Sequence, residues 1–101
     1  MIQADKFGLS ARIIGALRSV FARHAGIQKV ILYGSRAKGN FRPGSDIDLV
    51  MVASGLGNAD VLAIQGEIDD LLLPYKVDLS LYHQITSPDL IDHISRVCVE
   101  F

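Results

Sequence analysis

Apolar side chains recur at three- and four-residue spacing in three stretches of the chain, which predicts three amphipathic helices. The first is expected to begin at Ser10, a residue type that caps helices, to run to about His24 and to end at Gly26. The second is expected to have Asn58 as its cap, and the third to begin at Ser87-Pro88, since proline suits a first helical turn. The predicted buried faces are, in order, Ile13, Ile14, Leu17, Val20 and Phe21; Val61, Ile64, Ile68, Leu71 and Leu72; and Leu90, Ile91, Ile94 and Val97.

Short runs of β-branched and apolar residues predict three strands between these helices. The run Lys29–Tyr33 lacks polar alternation, which is typical of a strand buried on both faces. Asp46–Ala53 is the second predicted strand, and Val77–Tyr82, which alternates apolar and polar positions, is the third. A helical turn at Ser35–Lys38 and a turn at Pro43-Gly44 are expected between the first two strands. This order favours an α/β (α+β) class, a small mixed β-sheet with helices packed on it.

Length and composition restrict the kinds of protein this chain can be. Its 101 residues, 50% hydrophobic and 21% charged, predict a single globular domain over residues 1–101. The only cysteine, Cys98, excludes an internal disulfide and is expected to pack in an apolar run. No apolar run approaches the roughly 20 residues of a membrane span, and no signal-peptide pattern is present. We therefore expect a cytoplasmic protein that is not associated with a membrane.

The net charge of −1 conceals an uneven distribution of charge along the chain. Residues 1–44 carry a net charge of +7, and residues 45–101 carry a net charge of −8. Both signs are expected together where cations meet phosphate and carboxylates meet a metal, although the two halves could equally neutralise each other across the fold. Direct nucleic-acid binding is not expected, because it favours a chain that is basic overall.

A glycine and a serine at the end of the first predicted strand form a candidate phosphate site. Gly34 lacks a Cβ and lets a phosphate approach the backbone, and Ser35 opens a helical turn whose free N–H groups can face an anion. Arg36, Lys38 and Arg42 add positive charge, which makes Arg36 and Lys38 candidate nucleotide-binding residues. The site is not a Walker A loop, since no Gly-Lys-Ser or Gly-Lys-Thr follows. A surface turn with solvated cations is the alternative.

Ten residues separate this pair from two aspartates at alternate positions, Asp46 and Asp48. Alternate residues of a strand share a face, so the two carboxylates are expected to lie about 7 Å apart on one face. Asp78 occupies a similar position in the third strand, and if the two strands are neighbours, three carboxylates converge. Such a group is costly without a cation and suits Mg²⁺, and two ions would form the clamp used for displacement at phosphorus. A turn cap is the alternative role for Asp46.

The order of these motifs resembles the DNA polymerase β-type nucleotidyltransferase superfamily, in particular its minimal (MNT) branch. The resemblance covers essentially the whole chain and is carried by Gly34–Gly39, Ser45–Leu49 and Lys76–Leu79. It implies a nucleotidyltransferase fold like the palm of polymerase β. It further implies specific roles: Gly34 and Ser35 hold the triphosphate of ATP, and Asp46, Asp48 and Asp78 form the catalytic, magnesium-binding set.

The resemblance also implies a function and a partner. Minimal members transfer AMP to a tyrosine of a HEPN-family ribonuclease toxin, and such a chain would act as the antitoxin within a hetero-oligomer. Two alternatives stay open, namely a non-catalytic antitoxin that neutralises its partner by complex formation and nucleotidyl transfer to a small molecule such as an antibiotic. Among the remaining polar residues, Tyr33 is predicted to be a core residue, and His24, His83 and His93 are predicted to lie at helix ends or on the surface.

Overall fold

The computed structural model describes residues 7–101, so the first six residues of the predicted 1–101 domain lie outside the described part. The three predicted helices, the three predicted strands and the helical turn are all present, although the first helix ends at Ala22 rather than near His24 and the second strand begins at Ile47 rather than Asp46. The elements are α1 (Ala11–Ala22), β1 (Lys29–Tyr33), α2 (Ser35–Lys38), β2 (Ile47–Val52), α3 (Asn58–Asp69), β3 (Val77–Leu81), a 3₁₀ turn (Tyr82–Gln84), α4 (Pro88–Arg96) and β4 (Val99–Glu100).

The four strands form one mixed sheet in the order β3-β2-β1-β4. Strand β1 is antiparallel to both β2 and β4, whereas β2 and β3 are parallel. Parallel neighbours need a crossover connection, and α3 provides it. The register aligns Tyr33, Asp48 and Asp78 in one row across β1, β2 and β3. The expectation that the second and third predicted strands are neighbours is thus confirmed.

Alternation along the strands gives the sheet two different faces. One face carries apolar residues such as Leu32, Leu49 and Leu79, and it forms the main core with α1 and α3. The opposite face carries a smaller buried cluster of Tyr33, Val50 and Ile94, where Ile94 comes from α4. The row that contains Asp48 and Asp78 lies on this second face, so the apolar core holds the strands that present the two carboxylates.

Serine caps begin the first and last helices as predicted. The Ser10 hydroxyl accepts a hydrogen bond from the Ile13 N–H at 3.3 Å, and the Ser87 hydroxyl accepts one from the Leu90 N–H at 3.3 Å. On α4, however, only Ile94 of the four predicted inward residues is fully buried. The other three are half-buried because α4 packs on the sheet face that also carries polar groups.

The predictions for α3 were wrong at both ends. Its cap is Gly57 rather than Asn58, and the Asp60 carboxylate accepts the Gly57 N–H at 2.9 Å. Leu72 was predicted on the buried face, yet the helix ends at Asp69, and Leu72 has a φ of 54° and is 87% exposed. The helical spacing of apolar residues in the sequence continues to Leu72, but the helix has already ended there because the chain turns towards β3.

The C-terminal strand β4 was not predicted, because two residues carry no periodicity. Phe101, which follows it, donates its N–H to the Val30 carbonyl at 2.8 Å, and its carbonyl accepts from Arg18 Nε at 2.7 Å. The Phe101 ring lies 6.1 Å from that of Phe7 and 6.4 Å from that of Phe21, measured between centroids. Cys98, predicted to pack, is exposed instead.

Across residues 7–101, no helix has both the length and the apolar character that crossing a bilayer requires.

Candidate active site

Gly34 brings the loop after β1 directly against a carboxylate. Its φ of 78° and ψ of −157° lie in a region that residues with a side chain rarely adopt. A Cβ at this position would lie 2.5 Å from Asp48 Oδ2. Both the backbone conformation and the close approach therefore require glycine, and the loop and the carboxylate form one continuous site.

Ser35 begins the short helix α2 on the other side of this glycine. The Lys38 N–H donates to the Gly34 carbonyl at 3.0 Å, and the Gly39 N–H donates to the Ser35 carbonyl at 2.9 Å. The first N–H groups of a helix have no acceptor within it, and they lie beside the half-buried Ser35. The arrangement matches what the sequence predicts for a phosphate loop, and the phosphate contact itself stays a prediction.

Arg36 has a different place from the one predicted. Its side chain is only 3% exposed, and its guanidinium donates to the Ser45 carbonyl through Nε (3.1 Å) and Nη2 (2.8 Å). Its Nη1 donates to the Phe7 carbonyl at 2.8 Å. The guanidinium also stacks over the rings of Phe41 and Tyr75, at 5.3 and 4.7 Å from their centroids. The structure therefore shows Arg36 as a buried residue that fastens the loop, which the sequence did not predict, and a contact between Arg36 and a nucleotide stays a prediction.

The exposed cations of the loop are Lys38 and Arg42. Arg42 belongs to the predicted turn at Pro43-Gly44, which is confirmed: the Ser45 N–H donates to the Arg42 carbonyl at 2.9 Å, and Gly44 has a φ of 89°. The Arg42 N–H in turn donates to the Ser45 hydroxyl at 2.8 Å. This turn delivers the chain to Asp46, and Lys38 remains a candidate phosphate contact.

The carboxylates lie where β2 and β3 begin. Asp48 is half-buried and directly opposite Asp78, which is exposed on the outermost strand. Asp46 is exposed and precedes β2 by one residue, at the point where the Ile47 N–H donates to the Lys76 carbonyl at 2.8 Å and starts the parallel ladder. The three acids are thus held at one end of a rigid strand pair.

Electrostatics show that the acids influence one another. Burial raises the pKa of Asp48, and the charges of Asp78 and then Asp46 raise it further. The positive charges of Arg36 and His93 act in the opposite direction, with smaller effects. The pKa is raised overall, first because burial disfavours the ionised carboxylate and then because two other acids lie near it.

This donor set fits a hard divalent cation that takes part of its ligands from a substrate. Within residues 7–101, no group of three or more His, Cys, Asp or Glu side chains is close enough to hold a metal unaided. The predicted convergence of Asp46, Asp48 and Asp78 is therefore looser than a closed metal cage. Mg²⁺ is commonly bound by one or two carboxylates together with phosphate oxygens and water, which is compatible with this arrangement.

Two aromatic residues border the carboxylates. Tyr33 is buried in the small cluster, as predicted, and it lies directly opposite Asp48. Burial raises the pKa of Tyr33, and Asp48 and Asp78 raise it further, while a side-chain hydrogen bond with Ser80 lowers it. His93 lies in the last turn of α4, as predicted for a helix-end residue, and it is half-buried there and meets the Tyr33 ring edge-on at 6.3 Å between centroids. The only feature of the sequence that could have predicted this contact is the position of His93 three residues after Leu90, on the apolar side of α4.

The fold and the site together define the architecture of a nucleotidyltransferase. The family described as polymerase beta, nucleotidyltransferase matches residues 16–99. The chain belongs to this polymerase β nucleotidyltransferase family. No curated protein matches the chain.

Solved structures show the same fold at low sequence identity. A toxin–antitoxin crystal structure with AMP-PNP matches with 24% identity and a TM-score of 0.66, covering 88% of this chain and 68% of that one. A mutant of the toxin–antitoxin MntA–HpeT matches with 22% identity and a TM-score of 0.65, at the same coverage. A tri-AMPylated HEPN toxin in complex with MNT antitoxin, from Shewanella oneidensis, matches with 22% identity and a TM-score of 0.59, covering 88% of this chain and 65% of that one.

Proposed function

We propose that this chain transfers AMP from ATP to a hydroxyl group of a partner protein, a tyrosine of a HEPN-family toxin, and thereby acts as an antitoxin. The observation that carries the proposal is the contact between the Gly34 backbone and the Asp48 carboxylate, with Asp78 in register beside it. A phosphate loop that abuts paired carboxylates places a triphosphate next to the groups that would hold its metal. Family membership and the fold shared with MNT antitoxins support the same conclusion.

The phosphate loop would bind and orient the nucleotide. The N–H groups at the start of α2 and the Ser35 hydroxyl would donate hydrogen bonds to the triphosphate, and the exposed Lys38 ammonium would offset its charge. Asp46, Asp48 and Asp78 would hold Mg²⁺, two ions in our proposal, through their carboxylate oxygens. Bound there, the metal would supply charge neutralisation at the phosphates.

Transfer itself would be a displacement at the α-phosphorus. The acceptor oxygen forms a bond to that phosphorus, and the bond from the phosphorus to the oxygen that bridges to the β-phosphate breaks, so pyrophosphate leaves. The acceptor proton would pass to the exposed carboxylate of Asp78 and from there to solvent. Apart from holding the metal, the chain would accelerate the reaction mainly by positioning the two reactants.

The proposal includes a setting as well as a reaction. The acceptor arrives on another chain, so the working form is a hetero-oligomer of antitoxin and toxin. A cytoplasmic location fits the single, exposed Cys98, since reducing compartments keep such thiols free.

Intact-mass spectrometry of the protein encoded beside this gene tests the proposal. After incubation with this chain, ATP and Mg²⁺, the partner is expected to gain the mass of one or more AMP groups, located on tyrosine by fragmentation. The double variant Asp46→Asn/Asp48→Asn is the control and is expected to add none. A stable complex formed equally by both versions, with no mass gain, would instead support the non-catalytic antitoxin.

Gly34→Ala is expected to weaken binding of ATP in the presence of Mg²⁺ by about tenfold or more, because the new methyl group displaces the Asp48 carboxylate. It is also expected to lower the free energy of unfolding by about 1–3 kcal/mol through backbone strain. Calorimetry and thermal melting measure the two effects. Gly39→Ala is the matched control, since Gly39 has a φ of 89° but no atom of residues 7–101 lies within 4 Å of an added Cβ. If both variants weaken ATP binding equally, contact with Asp48 is not the cause.

A further inference from the structure

A cleft of about 490 Å³ lies beside the outer edge of β3 and reaches Asp78. The end of α3 and the loop that follows it form one wall, with Asp69, Leu72 and Leu73. The start of β3 forms the other wall, with Tyr75 and Lys76 leading to Asp78. We call this the edge cleft. It adjoins the proposed site at the carboxylate that faces the acceptor.

The edge cleft adjoins a strand whose outer side is unpaired. In the part of the chain that the structure describes, β3 is the last strand of its sheet, and no strand pairs with its outer side. The N–H and C=O groups of such an edge can pair with an extended segment of another chain. An acceptor segment that adds to this edge would run directly past Asp78.

Leu72 makes the cleft unusual. A leucine with a φ of 54° is uncommon, because the left-handed region suits glycine or asparagine better. The strained backbone leaves its side chain 87% exposed at the cleft, where solvation of an apolar group is unfavourable. A strained position that displays an apolar side chain is a reason to look for a binding role.

The charge of the cleft selects among possible occupants. Asp69 and Asp78 line it against one base, Lys76, and Asp70 adjoins it. The lining of the cleft therefore carries one more acid than base, whereas the exposed cations Lys38 and Arg42 belong to the phosphate loop. An acidic cleft repels RNA and DNA and attracts a basic polypeptide.

We propose that the edge cleft docks the acceptor segment of the partner protein as an extended, basic stretch. An apolar residue of that stretch packs on Leu72, basic residues face Asp69, and the acceptor hydroxyl lies at Asp78. Transfer of AMP to that hydroxyl rests on the proposed function. Binding of the segment in the cleft does not require any transfer.

Amide chemical shifts of the isotope-labelled full chain, recorded without ATP, test the docking directly. The probes are two synthetic nine-residue peptides with a central tyrosine and a leucine two positions away, one flanked by lysines and the other by glutamates. The lysine peptide is expected to shift the amides of Asp69, Leu72 and Lys76, and the glutamate peptide is not. Equal effects of both peptides, no effect of either, or shifts confined to other surfaces would overturn the proposal.

Variants inside and outside the edge cleft test whether the peptide binds there and not at another surface. Leu72→Asp and Asp69→Lys are each expected to weaken binding of the lysine peptide by about tenfold, the loss typical of one buried anchor. Leu62→Asp changes another leucine that is 73% exposed and lies outside the cleft, and Asp89→Lys makes the same charge change elsewhere. Both controls are expected to bind within about twofold of the unaltered chain. A larger loss in Leu62→Asp than in Leu72→Asp would place the docking surface elsewhere.

The transfer assay separates this inference from the proposed function. If the lysine peptide docks in the edge cleft and the partner protein gains no AMP, the proposed reaction is wrong and the cleft assignment stands. If Leu72→Asp and Asp69→Lys modify the partner as fast as the unaltered chain does, transfer stands and the cleft assignment is wrong.

Discussion

Asp48→Asn is expected to stabilise the ligand-free protein and to lower the rate of AMP transfer on the order of a hundredfold or more. The gain in stability follows because burial, and then the charges of Asp78 and Asp46, disfavour the ionised carboxylate in the folded state. Asparagine has nearly the same shape and no charge, so it relieves this repulsion. The loss of activity follows because the amide binds Mg²⁺ less well than a carboxylate does.

The stabilisation is expected to depend on pH in a defined direction. The folded-state pKa of Asp48 lies above its ordinary value of 3.8, so the folded state takes up the proton first as the pH falls. The unaltered protein therefore gains stability as the pH falls from above the raised pKa towards 3.8, and the advantage of the variant shrinks over that window. Glu67 acts in the opposite sense, because hydrogen bonds from Arg23 and His24 lower its pKa. Glu67 is present in both proteins, so its effect cancels in the difference.

Thermal melting of both proteins between neutral pH and pH 4, with and without Mg²⁺ and ATP, measures these effects. The variant is expected to melt higher without ligand and to lose most of the shift that Mg²⁺ and ATP produce. Asp89→Asn, on the exposed first turn of α4, is the control: it is expected to keep the ligand shift and not to melt higher, because a carboxylate is favourable at a helix N-terminus. A lower melting temperature for Asp48→Asn at neutral pH would contradict the electrostatic argument, and a full ligand shift would contradict the metal assignment.

Arg36→Ala is expected to destabilise the protein by about 2–4 kcal/mol, because it leaves the Ser45 and Phe7 carbonyls without their donors and removes a buried stack. In a domain of this size that loss lowers the melting temperature by roughly 10 °C or more. Arg36→Lys is expected to recover only part of it, since an ammonium cannot reproduce the planar fork that holds Ser45 through two nitrogens.

Lys38→Ala distinguishes structural from nucleotide-binding cations within the same helical turn. Lys38 is exposed, so its removal is expected to leave the melting temperature of the ligand-free protein nearly unchanged and to weaken ATP binding. Differential scanning calorimetry and isothermal titration separate the two quantities. An Arg36→Ala protein that melts like the unaltered chain but binds ATP poorly would show that Arg36 contacts the nucleotide and does not fasten the loop.

Much of the fold could be predicted because its signals are local. The apolar run of β1, the alternation of β3 and the serine caps of α1 and α4 each act within a few residues of chain. The proximity of Asp48 and Asp78 could be predicted because both occupy the same face of their strands by alternation, provided that the two strands are neighbours. The family resemblance then predicted a role for each of these local features.

The remaining features depend on residues far apart in the chain. Arg36 and Lys38 look alike in the sequence, and only contacts with Phe7, Phe41 and Tyr75 bury one of them. Leu72 continues the apolar spacing of α3, but the chain must leave the helix to reach β3. His93 joins the site because α4 packs on the same sheet face as Tyr33. These positions depend on how the helices pack on the folded sheet, which local sequence patterns do not predict.

The parallel pairing of β2 and β3 also determines the order in which the parts of the proposed site can form during synthesis of the chain. During synthesis the phosphate loop and Asp48 emerge well before Asp78, because the whole of α3 separates the two strands. Parallel pairing must wait until this crossover has formed, and non-local contacts of this kind form slowly. The last strand to join this end of the sheet carries both the third carboxylate and the wall of the edge cleft. A nascent chain that has not yet made β3 therefore holds the loop, Asp46 and Asp48 but lacks Asp78, and pairing of β3 with β2 brings the third carboxylate to the other two.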